Sequence, residues 1–196
     1  GNVFINGYTT STGGISTVGS HQAAMGGGSD AYIVKFNTGG VRQWGTYYGG
    51  TTTEYGYAIE KDAAGNVYAT GYTYSTNNIA SVGSQQVTPG AVFPDAFVTK
   101  FNTSGVRQWG TYLGGNGTDI AYSICTGTLG NVYVTGYVYS TDNISTLGSF
   151  QPAISTTPDA FLVEYNTNGV RQWGSYYGGT STDYGYGVAS DAAGAI

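Results

Sequence analysis

The residues best placed to do chemistry are six carboxylates that recur in pairs. Asp30 with Glu54, Asp95 with Asp119 and Asp159 with Asp183 stand at matching places in three successive stretches of the chain. Such pairs can act in three ways. A carboxylate that accepts backbone N–H groups pins a loop. Carboxylate and carbonyl oxygens together hold calcium, a hard cation. Two carboxylates on one substrate do glycosidase chemistry. Recurrence in every stretch favours loop pinning, because a ligand or catalytic site is usually made once. Calcium is the alternative, although no dense Asp-x-Asp-x-Asp-Gly loop is present. Other catalytic sets are missing. The single Cys125 lies in a strand far along the chain from the single His21, and no His/Cys metal set exists. No Gly-rich stretch ends in the Gly-Lys-Ser/Thr of a phosphate loop. No cofactor is expected.

What positions these acids is a repeat. Val41-Arg42-Gln43-Trp44-Gly45 returns as Val106 to Gly110 and as Val170 to Gly174. The stretch opening Gly1-Asn2-Val3 returns at Gly65 and Gly130, and Gly194 opens a fourth copy. Repeat units run approximately 1–64, 65–129 and 130–194. Self-similarity at this period means one supersecondary unit stacked on copies of itself.

Each unit reads as β. Asn66 to Tyr74 and Asp95 to Phe101 are rich in β-branched and aromatic residues and are flanked by turn residues. The 34 glycines and the lack of helical apolar spacing argue against helices. Four strands fit a period: Tyr55–Lys61, Asn66–Tyr74, Asp95–Phe101 and Val106–Tyr112, or twelve in all. Asp62-Ala63-Ala64-Gly65 and Asn102-Thr103-Ser104-Gly105 read as tight hairpin turns. Strands two and three are joined by a long loop, Ser75 to Pro94. Strand four leads to the next strand one through a Gly-Gly loop such as Gly49 to Thr53.

A four-stranded antiparallel unit repeated in tandem is a propeller blade. The fold class is therefore all-β, a β-propeller segment with three blades. The stretch 95–115, Asp119 and Gly130-Asn-Val-Tyr-Val-Thr-Gly-Tyr also resemble the bacterial SBBP β-propeller repeat. The resemblance covers essentially the whole chain, three times. It implies an exported, secreted or cell-surface bacterial protein, often large, with no agreed enzymatic activity. Two places depart from the pattern. Gly127-Thr128-Leu129-Gly130 replaces the Asp-Ala-Ala-Gly turn, and Ala195 stands where Asn is expected.

Both faces of a blade must be apolar, since Ala96 and Val98 point opposite to Phe97 and Phe101 on one strand. Propellers close with about four to eight blades. Three blades leave two open apolar faces, which soluble monomers rarely tolerate. The expected partners are therefore further blades, from the same parent chain or from a second copy. The chain reads as a piece of a longer array.

On this scheme the long loops and Gly-Gly loops share one face. Seven acids fall there, the six above plus Asp142, and all six Lys and Arg fall toward the other half. One face is thus expected to be acidic. Tyr8, Tyr74, Tyr139, His21 and Asp142 are ligand-face candidates. The tyrosines could stack on sugar rings, but Tyr also fills blade interfaces. Arg42 with Trp44, Arg107 with Trp109 and Arg171 with Trp173 are read as structural pairs, the Arg stem packed on the indole. Cys125 is read as a small buried thiol. The long loops repeat apolar positions (Ile15, Val18; Ile79, Val82; Ile144, Leu147), so they should be ordered and packed.

Net charge −5 and the lack of a basic stripe exclude nucleic acid. No apolar run or leader suggests membrane insertion or a signal segment. The reading is a non-enzymatic recognition or adhesion module, extracellular or at the cell surface, with a protein or glycan ligand on the long-loop face. The alternatives are a glycan-active enzyme using the acidic face, and a structural spacer or assembly subunit.

Overall fold

The computed structural model describes residues 1–156, 158–191 and 196, which contain eleven strands and no helix. Strands β1 (Val3–Thr9), β2 (Asp30–Phe36) and β3 (Arg42–Tyr48) make the first sheet. Strands β4 (Glu54–Lys61), β5 (Val67–Thr73), β6 (Asp95–Phe101) and β7 (Arg107–Leu113) make the second. Strands β8 (Asp119–Thr126), β9 (Val132–Val138), β10 (Asp159–Tyr165) and β11 (Arg171–Tyr177) make the third. Every pairing is antiparallel between sequence neighbours. These are three propeller blades in an open arc. The first strands β4 and β8 lie directly against each other, while the fourth strands β3, β7 and β11 make no comparable approach. Strand one is therefore innermost, beside the axis, and strand four is outermost.

The alternation on β6 builds two cores. Phe97 and Phe101 join Ile33, Trp44 and Tyr48 of the first blade. Ala96 and Val98 join Ile144, Phe161 and Tyr165 of the third. A blade buried on both faces must be apolar on both, which explains the near-continuous burial of β5 and β6.

A repeated latch joins successive blades. The Trp44 Nε1–H donates to the Thr103 carbonyl at 3.1 Å, and the Lys35 ammonium donates to the same oxygen at 2.9 Å. Trp109 and Lys100 grip the Thr167 carbonyl in the same way, at 3.1 and 3.0 Å. The acceptor turns need glycine. Gly105 has φ +80°, and a Cβ there would come within 2.7 Å of the Trp44 ring. Gly169 stands in the same relation to Trp109.

Four expectations need correction. The twelfth strand, Tyr184–Asp191, is not formed. Its ladder partner would be strand two of a following blade, so the segment only lies along the third blade, with the Gly185 N–H on the Gly136 carbonyl at 3.0 Å. The arginines do not stack on their neighbouring tryptophans. Arg42, Arg107 and Arg171 instead donate to long-loop carbonyls of Gly14, Asn78 and Asn143. The cation–ring contacts fall to Lys35 over Phe4 and Lys100 over Tyr68. The long loops are packed only in part: Ile79 and Ile144 are fully buried, but Val18, Val82 and Leu147 stand wholly exposed at turn tips. The expected acidic face has five of its seven acids buried, which leaves Asp142 exposed and Asp183 partly so. The fourth copy opening at Gly194, with Ala195, lies outside the described residues.

Candidate functional site

Strand one carries a β-bulge. In β4 the register passes from Gly56↔Gly71 to Ala58↔Thr70, leaving Tyr57 unpaired. In β8 it passes from Ala121↔Gly136 to Ser123↔Thr135, leaving Tyr122 unpaired. Glycine in strand two permits this: a Cβ on Gly71 or Gly136 would sit 1.8 Å from the carbonyl oxygen of Tyr55 or Ile120. A bulge re-aims its extra side chain. Here it brings the tyrosines of successive inner strands together. The Tyr57 and Tyr122 ring centroids are 5.4 Å apart, and Tyr122 and Tyr186 are 5.3 Å apart.

These three anchor a continuous network of ten tyrosines. Tyr8 meets Tyr55 at 4.3 Å and Tyr55 stacks on Tyr72 at 5.0 Å. Tyr72 reaches Tyr57 and Tyr74. Tyr122 reaches Tyr137, which meets Tyr139 and Tyr184. Six of the ten, Tyr8, Tyr57, Tyr74, Tyr139, Tyr184 and Tyr186, are 42–71% exposed. No charged side chain belongs to the network. Burial pushes the Tyr72 and Tyr122 phenols up and Tyr137 up to about 12, so the hydroxyls stay neutral. The result is an uncharged surface of phenol faces and hydroxyl donors at the long-loop end of the inner strands. Of the ligand-face candidates, Tyr8, Tyr74 and Tyr139 lie in it.

The carboxylate pairs are brought together, all but Asp183 below the surface. Asp30, Glu54, Asp95, Asp119 and Asp159 are all 0% exposed. Each pair flanks the first glycine of a Gly-Gly loop: Asp30 and Glu54 at Gly49, Asp95 and Asp119 at Gly114, Asp159 and Asp183 at Gly178. Their oxygens accept loop N–H groups. Asp30 takes Gly26 at 2.9 Å and Gly27 at 3.2 Å; Asp95 takes Gly90; Asp159 takes Ser155 at 3.0 Å. Glu54, Asp119 and Asp183 take Gly50, Gly115 and Gly179 at 2.8, 2.9 and 2.8 Å. A charge held this way is spent on the loop. Asp95 is the exception, because its Oδ1 is buried without a hydrogen-bond partner. Burial pushes Asp95 up to about 7, the nearby Asp119 charge adding to it against the Gly90 N–H. Burial likewise lifts Asp119 to about 6, against its hydrogen bonds from Ser140 and Gly115. Among the described residues no three His, Cys, Asp or Glu side chains converge as a metal cage.

His21 packs between blades, with its ring 5.7 Å from Phe101 and 6.2 Å from Tyr48. Burial and then the Arg107 charge hold it down at about 4, so it is neutral near pH 7. Asp142 is exposed and accepts the Asn116 N–H at 2.8 Å beside Gly115. Cys125 is a buried free thiol whose pKa burial raises. Sequence reasoning passed over Tyr57, Tyr122 and Tyr186. Their signal is a Tyr three residues after the strand-one acid (Glu54, Asp119, Asp183) in every copy.

Antiparallel blades of three, four and four strands fanned about a shared inner edge form a partial, unclosed propeller. Residues 108–142, from β7 into the long loop after β9, match the SBBP beta-propeller repeat. An uncharacterized WD repeat-containing protein of Acanthamoeba polyphaga mimivirus is similar, 27% identical over 178 residues. The match covers 83% of this chain and 13% of that protein, so the chain spans a small part of the relative's length. WD repeats are themselves four-stranded propeller blades.

Proposed function

We propose that this chain is a non-enzymatic recognition module of a secreted or cell-surface protein, binding its ligand on the tyrosine surface around the propeller axis. The observation that carries the reading is the pair of bulge tyrosines Tyr57 and Tyr122 on successive inner strands, in contact with each other and continued by Tyr186, which packs on Tyr122. Bulges cost ladder hydrogen bonds and cluster where a side chain must be re-aimed. Six half-exposed phenols in one patch exceed what packing needs. Tyr supplies rigid, amphipathic contact area at low entropic cost, which is why it is enriched at binding surfaces.

The ligand class follows from the chemistry of the surface. It is uncharged, with flat apolar faces and neutral hydroxyl donors. A neutral glycan matches it, offering C–H faces to the rings and hydroxyls to the phenols. Exposed Asn116 and Asp142 beside the patch add amide and carboxylate partners. Two features speak against a glycan-active enzyme. Five of the six paired acids, all but Asp183, are fully buried and accept backbone N–H groups, out of reach of a polysaccharide. The propeller repeat and the WD-repeat relative suggest a scaffold. Those same likenesses support protein interaction as the second reading, with a Pro- or Tyr-rich segment seated on the rings.

A neutral-glycan array with the whole chain, followed by calorimetry on hits, tests the reading. Binding that is insensitive to calcium chelation and lost in Tyr57→Ala and Tyr122→Ala supports it. Silence with every glycan and protein probe would favour the spacer reading, and turnover of a bound polysaccharide would restore the enzyme reading.

A further inference from the structure

We infer that the creases between successive blades, on the outer rim, are a repeated binding site for an acidic sugar, one that carries a carboxylate as a hexuronate does. The inference is independent of the ligand reading above. Strand four and the next blade's turn border these creases, whereas the tyrosine surface is centred on strand one.

Two creases are built from the same parts. The first holds about 360 Å3 between long-loop residues 17–20, Lys35, the β3 residues Gln43 and Trp44, and the next blade's turn 103–105. The second holds about 320 Å3 between residues 81–84, Lys100, Gln108, Trp109 and the turn residues Thr167 and Asn168. Such volumes suit a small molecule. The walls of the second crease all come from the two four-stranded blades.

Each crease has polar groups with capacity to spare. A lysine ammonium has three donors, and Lys35 and Lys100 each give one to the turn carbonyl of Thr103 or Thr167. Among the described residues neither ammonium meets a carboxylate at hydrogen-bond distance. Asp62 pulls on Lys100 from further off, and its oxygens take Asn66 and Tyr68 donors instead. Gln43 and Gln108 each donate one amide hydrogen to the carbonyl two residues back and hold the amide oxygen available. Ser20 Oγ is buried without a partner, and its counterpart Ser84 Oγ reaches only the Gln86 carbonyl at 3.3 Å. A buried hydroxyl left so is costly until something fills its place.

One cation set among hydroxyls and a carboxamide matches a small polyhydroxylated anion. The carboxylate takes the ammonium, a charge-assisted bond, and the ring hydroxyls take the carboxamide and serine groups. Val18 and Val82, wholly exposed at the lip, offer an apolar contact to the C–H face of the sugar. A peptide fits less well. The outer edge of strand four is already covered by its own long loop, with the Thr17 N–H on the Gly45 carbonyl at 2.9 Å and the Tyr47 N–H on the Gln22 carbonyl at 3.2 Å. Ser81 and Gln86 cover Gly110 and Tyr112 in the same way. Strand addition therefore finds that edge occupied.

The third blade supplies a contrast within the chain. Glu164 stands where the first two blades have Lys35 and Lys100, and it accepts from Asn131 Nδ2. A carboxylate there repels an anion, so the acidic-sugar site belongs to the two creases that hold a lysine. Two such sites on one rigid arc bind a polyuronate more tightly than either binds a single sugar.

Amide chemical-shift mapping on the whole chain with methyl β-D-glucuronide tests this, against methyl β-D-glucoside and sodium acetate at the same concentrations. The expected result is saturable shifts at Gly19 and Ser20 and at Gly83, Ser84 and Asn168. The affinity should be about millimolar, as so few ligand atoms allow, and each control should bind about tenfold more weakly or worse. Lys100→Gln should remove the shifts at Gly83 and Ser84 and leave those at Gly19 and Ser20. Val82→Glu alters a wholly exposed side chain, so it should weaken the second site about tenfold with the rest of the spectrum unchanged. No saturable shift at either crease, shifts confined to the tyrosine surface, equal binding of the glucoside or of acetate, or undiminished binding in both variants would each overturn the inference.

Discussion

Tyr57 and Tyr122 lie 5.4 Å apart, centroid to centroid, although 65 residues of chain separate them and neither belongs to the other's sheet. Each is the one residue its strand leaves unpaired. The contact therefore owes nothing to ladder pairing. It arises because the same bulge recurs on adjacent innermost strands, so a local irregularity becomes a surface.

The blade latch sets the first prediction. Trp109 is 7% exposed, sits on Gly169 and donates to the Thr167 carbonyl. Trp109→Ala should cost about 3–5 kcal/mol, the range for a buried large-to-small change. Trp173→Ala, at a half-buried indole that no turn glycine supports, should cost far less. Urea unfolding compares the two.

The acceptor turn sets the second. Gly105→Ala places a Cβ at φ +80° and 2.7 Å from the Trp44 ring. Gly83→Ala meets the same backbone penalty, φ +76°, but open space. The control should cost about 1–2 kcal/mol, the left-handed penalty of an L-residue, and Gly105→Ala distinctly more. Equal losses in thermal unfolding would remove the Trp44 contact from the account.

The third concerns pH. Asp95 and Asp119 carry folded-state values raised to about 7 and about 6, above the ordinary aspartate 3.8. Between these limits the folded chain binds more protons than the unfolded one. Stability is thus fully present below about pH 4 from these groups and falls as pH rises toward 7. Asp95→Asn should flatten that decline in unfolding curves taken from pH 4 to 7.5. A wild-type slope of opposite sign through this window, unchanged in the variant, would contradict the assignment.

The loop-pinning acids give the fourth. Asp30 takes two backbone N–H groups and the Gln22 amide. Asp30→Ala orphans buried donors and should cost about 1–3 kcal/mol without abolishing ligand binding. Calorimetry would check both. Micromolar calcium binding that disappears in the variant would turn the site into a metal centre.

Much of the fold was legible in the sequence. Strand three was placed at Asp95–Phe101, and β6 has those bounds, because its Asp start, alternating apolar run and Asn-Gly turn all act locally. The alternation of Ala96 and Val98 against Phe97 and Phe101 gave both blade faces. What escaped reading depends on other chains of contact. The acids looked like a charged face because burial at a junction of two loops cannot be seen from their own flanks. The arginines looked like partners for the adjacent tryptophans, yet the carbonyls they reach sit 28 or 29 residues away, as Gly14 does for Arg42. The bulge tyrosines hid because an extra residue shifts the period-2 pattern that marks a strand.

Binding of the best neutral glycan to the whole chain, measured by calorimetry for wild type, Tyr57→Ala, Tyr122→Ala and the distant Tyr177→Ala, tests the recognition surface most directly. The account predicts that Tyr57→Ala and Tyr122→Ala each lose about tenfold or more in affinity, roughly 1.4 kcal/mol, while Tyr177→Ala binds as wild type. Undiminished binding in both bulge variants, or no glycan bound at all, would contradict it.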